Sequence, residues 1–127
     1  MKTASVRLAV LTIALHATAA SAGEATTPTY RSPADMSVEE RTEIMTLVGA
    51  YNSCVYKEGM ARVKQYADIR QTADVAMAAC EGAINTLGQK IESFRFEPGF
   101  GEQFVHHTQS RAVRTLLPEL AIQKSAN

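Results

Sequence analysis

Cys54 and Cys80 are the only cysteines of the chain, and each falls on an apolar stripe of helical period. Ile44, Leu47, Val48, Tyr51, Cys54 and Val55 share one side of a helix that starts near Val38. Ala73, Met77, Cys80, Ile84, Leu87, Ile91 and Phe94 recur at alternating steps of four and three, the seam of a bundle helix. In an antiparallel hairpin, facing residues are equidistant from the connecting turn, so a contact between the two cysteines centres that turn on residue 67. Asp68, with Gln71 three residues on, is the best-placed cap for the second helix. The cap is read without reference to the cysteines, so two independent readings give the same hairpin.

A disulfide requires an oxidising compartment, and the first residues supply a route to one. The segment MKTASVRLAVLTIALHATAASA has Lys2 and Arg7 in front, an apolar stretch from Leu8 to Leu15, and Ala20-Ser21-Ala22 in an A-x-A pattern. This reads as a secretory signal over residues 1–22. Its apolar core is about half of the roughly 20 residues a bilayer span needs, and no later stretch is apolar enough to cross a membrane. The expected location is therefore exported, periplasmic or extracellular. Closing a loop of about 27 residues constrains the unfolded chain by something like 3 to 4 kcal/mol, a large share of the roughly 5 to 10 kcal/mol expected for a small domain. A redox pair would instead sit as C-x-x-C at a helix start, whereas these cysteines lie on core faces.

Residues 23–36 are rich in Thr, Ala and Pro and read as a flexible leader. A single helical domain is expected over residues 37–124. Ser37 and Glu40 form a capping-box pattern at the start of the first helix. Beyond Glu58 the apolar residues Met60, Val63 and Ala67 shift around the helix, and Gly59 at the join predicts a kink or short break. Glu97-Pro98-Gly99 stops the second helix. A third follows from about Gly101 to Leu117, with Val105, Ala112, Val113 and Leu116 on one face, and Pro118 is expected to end or kink it. No segment alternates with the period of a half-buried strand. The expected fold is all-α, a small three-helix bundle built on a disulfide-stapled antiparallel hairpin.

Lys+Arg and Asp+Glu number 13 each, and loss of residues 1–22 removes two cations and no acids, which argues against a nucleic-acid partner. His107, Arg111 and Arg114 recur at i, i+4 and i+7 with Phe104 beside them, a cationic stripe that could accept a carboxylate, a phosphate or an anionic head group. Its bland counterpart is a solvated outer face. Glu102 and His106 share a face at i, i+4 and are weak metal candidates; no zinc or haem motif accompanies them, and no cofactor is implied. Phe94, Phe96, Phe100 and Phe104 crowd into eleven residues and suit either a partner patch or a cap that docks the third helix. Tyr51, Tyr56 and Tyr66 read as packing and interface residues.

No Ser/His/Asp constellation, phosphate loop or paired pocket carboxylates can be picked out, so the reading leans away from an enzyme. In size, export and two-cysteine helical design the chain resembles the acid-activated chaperones of the bacterial periplasm, a resemblance of style that carries over no site residue. The expected role is a non-catalytic binding or chaperone-like module whose partner is another exported protein or an anionic envelope component. Two alternatives stand beside it: a metal or small-ligand carrier using His106 and His107, and an enzyme of unassigned class.

Overall fold

The computed structural model describes Gly23 and residues 27–126; the expected signal, residues 1–22, lies outside them. A short 3-10 turn, Pro33–Asp35, precedes four helices: α1 (Val38–Arg62), α2 (Ile69–Ala79), α3 (Glu81–Ser93) and α4 (Phe100–Ser125). No strand occurs among the described residues, and the all-α class is as expected.

Helix α1 begins where its cap predicts. The Ser37 hydroxyl accepts from the Glu40 backbone N–H at 3.1 Å, and the Glu40 carboxylate accepts from the Ser37 N–H at 2.9 Å. Asp68 caps α2 by accepting from the Arg70 N–H at 2.8 Å. The hairpin is closed by the Cys54–Cys80 disulfide, with Cα atoms 6.0 Å apart.

Four helices replace the expected three because the second segment is interrupted at Cys80. There φ is −103° and ψ 14°, and the Cys80 N–H donates to the Met77 carbonyl, three residues back, at 3.0 Å. The apolar stripe continues across the interruption, since Ala73, Ala76, Cys80, Ile84, Leu87 and Ile91 are all buried. No proline marks the join, and Gly82 lies just past it inside the first turn of α3, while the apolar periodicity reads straight through.

The expected break at Gly59 is absent, and α1 runs unbroken to Arg62. Gly59 instead permits close approach of α4: a Cβ there would lie 2.9 Å from both Leu116 methyl carbons. The expected stop at Pro118 is also overturned, as α4 continues to Ser125. Proline forfeits the bond to the Arg114 carbonyl, but Pro118 lies on the exposed side, while Leu116 and Leu120 are buried on either side of it. Core packing outweighs the local penalty.

Helix α1 packs against the other three, and the core between them is filled chiefly by Ile44, Tyr51, Val55, Leu87, Ile91, Leu116 and Leu120. At one end of the bundle the four phenylalanines make a continuous edge-to-face and tilted series, with centroids 6.0, 5.3 and 5.9 Å apart along Phe94–Phe96–Phe100–Phe104. Part of the expected leader is fastened to this end. Arg31 exchanges backbone hydrogen bonds with Arg95 and Glu97, stacks its guanidinium 5.3 Å above the Phe96 ring, and forks onto the Glu40 carboxylate at 2.6 and 3.0 Å. That guanidinium, first, and the Ser37 N–H hold the Glu40 carboxyl at about 2, well below the usual carboxylate range. At the α1–α2 turn, the Lys124 ammonium donates to the carbonyls of Tyr66 and Ala67.

Candidate functional site

Helix α4 carries every residue singled out for binding, but the fold divides them among three surroundings. Phe104 is half-buried against the core and belongs to the aromatic series, so it seals the end of the bundle and is not part of the outer stripe. His107 and Arg114, both exposed, border a shallow open recess with Glu102, His106 and Ser110. Arg111 lies at a separate cleft between α1 and α4, of about 100 Å³, where Asn52, Tyr56 and Thr115 join it over a floor of Val55, Ala112 and Leu116.

The phenylalanine cluster is thus a docking cap for α4, with Phe96 only 6% exposed. Its polar neighbours share that end: Lys90 lies 5.6 Å from the centroid of Phe94 and pairs with Glu43 at 2.8 Å.

The electrostatic setting of Arg111 and Arg114 follows from sequence order. Residues 103–118 contain two arginines and two histidines and no acid, and the facing stretch of α1, residues 44–56, contains no charged residue. The ion pairs among the described residues join Arg31 to Glu40, Glu58 to Arg62 and Glu43 to Lys90, and none involves Arg111 or Arg114. Arg114 donates to the Ser110 carbonyl on its own helix at 3.4 Å. Two exposed guanidinium groups therefore stand on α4 with no ion-pair partner among the described residues, although Glu102 borders the same recess as Arg114, and each can present paired donors to a planar anion.

Glu102, His106 and His107 border one recess, yet no group of three or more His, Cys, Asp or Glu side chains among the described residues converges as a metal site. Asn52, Tyr56 and Thr115 were not singled out as partners of Arg111. Thr115 is four residues from Arg111 and so shares its face, a legible signal; the approach of Asn52 and Tyr56 depends on how α1 and α4 pack.

In comparisons with protein-family models, curated proteins and solved structures, the chain matches none. No helix among the described residues is long and apolar enough to cross a membrane.

Proposed function

We propose that this is an exported, non-catalytic binding module that takes the carboxylate-rich surface of another exported protein on the outer face of α4. The observation that carries the reading is the run from Gln103 to Pro118, which presents Arg111 and Arg114 on an exposed face with no acid in the run and no ion-pair partner among the described residues. Unneutralised arginines on a solvated face cost little to keep and gain charge-assisted hydrogen bonds when an anion arrives. His107 extends the stripe toward the recess. The small cleft under Arg111 adds the Tyr56 hydroxyl and the Asn52 amide as further polar groups at one anchoring point. Export, and the pairing with an exported partner, rest on the signal pattern of residues 1–22.

The test uses the oxidised protein without residues 1–22 and a fluorescent glutamate-rich peptide, read by anisotropy at several salt concentrations. Replacing both arginines, Arg111→Ala with Arg114→Ala, is expected to weaken binding about tenfold or more and to flatten the salt dependence while leaving Tm nearly unchanged. Equal affinity for the double variant overturns the reading. Binding to anionic vesicles with no binding to the peptide would assign the face to an envelope lipid instead.

A further inference from the structure

The cleft between α1 and α4 is built from two pairs at helical spacing. Asn52 and Tyr56 are neighbours on one face of α1, and Arg111 and Thr115 on one face of α4, so each helix supplies two rim residues. Between them Val55, Ala112 and Leu116, all buried, make an apolar floor. Tyr56 is 44% exposed and the other rim residues are exposed too, so the cleft opens to solvent. The rim groups differ in what they offer. The Thr115 hydroxyl donates to the Arg111 carbonyl at 3.0 Å, which commits its proton to the helix. The Arg111 guanidinium, the Asn52 amide and the Tyr56 hydroxyl are the groups that can donate outward, and no acid lines the cleft.

We infer that this cleft takes the side chain of a glutamate on the partner protein, with the carboxylate on Arg111, Asn52 and Tyr56 and the methylenes on the floor. The inference rests on the reading of α4 as an anion-binding face and adds which acid that face selects. A guanidinium with no ion-pair partner among the described residues supplies the complementary charge, and the two neutral donors beside it complete a set suited to a carboxylate. The floor of Val55, Ala112 and Leu116 suits an aliphatic stem, which a phosphate or sulfate lacks.

Size narrows the choice further. The cleft holds about 100 Å³, the space of roughly three water molecules at about 30 Å³ each. A carboxylate with a short stem fits that space and a stretch of peptide does not, so the partner contributes a single side chain. Aspartate carries the same charge on a stem one methylene shorter, and the methylene left off the floor lowers affinity about fourfold. The recess bordered by Arg114, His106 and His107 is about 710 Å³, too wide to tell the two stems apart. Arg111 thus sets the preference between acids, while Arg114 adds charge that serves either.

The experiment compares two fluorescent decapeptides of equal charge, one built from glutamates and one from aspartates. Both are amidated at the C-terminus, so only side-chain carboxylates are offered. Anisotropy with the oxidised protein without residues 1–22 is expected to show the glutamate peptide bound about fourfold more tightly. Arg111→Ala is expected to bring the ratio of the two affinities close to one, and Arg114→Ala to weaken both peptides by a similar factor while keeping the ratio. Tyr56→Phe keeps the ring, removes the hydroxyl and is expected to weaken the glutamate peptide about fivefold. In amide NMR spectra the Asn52 side-chain signals are expected to move further with the glutamate peptide than with the aspartate peptide. Circular dichroism of each variant confirms that the helices remain formed. Equal affinity for the two peptides, lost when Arg111→Ala and Arg114→Ala are combined, overturns the inference and leaves the anion-binding reading of α4 standing. A glutamate preference that survives Arg111→Ala also overturns it, by placing the selection outside the cleft. Binding of neither peptide overturns the reading of α4 and the inference with it.

Discussion

Tyr51 is fully buried, and its hydroxyl has no hydrogen-bond partner among the described residues. Burial alone pushes its phenol pKa up, in keeping with a side chain that serves as packing and not as a proton donor. An unsatisfied buried hydroxyl costs about 1 to 3 kcal/mol, so Tyr51→Phe keeps the ring and removes the penalty. Urea unfolding is expected to show the variant more stable by about 1 kcal/mol; a loss of stability would reveal a partner for the hydroxyl. Gly59 illustrates the limit of residue-level reading. Its helix-breaking tendency is legible in the sequence, but the reason for its presence is Leu116, far away in the chain and pressed onto it. A glycine that makes room for a neighbour and one that ends a helix look alike until the neighbour is known.

At the scale of elements, the starts of α1 and α2 are legible because capping is local chemistry: Ser37 with Glu40, and Asp68, declare themselves within a few residues. The ends are less so. Helix α4 passes through Pro118 because the leucines on either side are already committed to the core, a tertiary effect that no local window contains. Pro118→Ala restores a backbone N–H for the Arg114 carbonyl at an exposed position. It is expected to raise stability by about 1 to 2 kcal/mol, after allowing for the greater freedom of the unfolded chain, and to raise Tm by several degrees in a calorimetric scan. The interruption at Cys80 was hidden for a different reason. The buried stripe keeps its period through a single residue that leaves the α region, and the nearby Gly82 falls inside α3 and not at the residue where the helix breaks. The candidate binding residues divide in the same way: the α4 stripe follows from spacing, whereas the withdrawal of Phe104 into the aromatic cap depends on packing.

Across the whole molecule, the cysteine pair fixes the hairpin, and α4 closes the bundle against it. Arg31 adds a strap from outside the helices to the aromatic end. Because the Glu40 carboxyl is held at about 2, against an ordinary value near 4.5, the strap contributes stability above the ordinary value. That contribution is lost as pH falls from about 4.5 through about 2, when the carboxylate takes up a proton. Glu40→Gln is accordingly expected to be less stable than the parent protein near neutral pH, with the gap narrowing toward pH 2. Chemical unfolding midpoints measured over this range check the sign, and a gap that widens with acid would contradict it. At the opposite end, Lys124 lies beyond the last buried leucine of α4, yet its ammonium is the group that occupies the carbonyls of Tyr66 and Ala67. A protease that trimmed the chain back to Gln123 would leave the core intact while unlatching the bend between α1 and α2, making that bend the next place to be nicked.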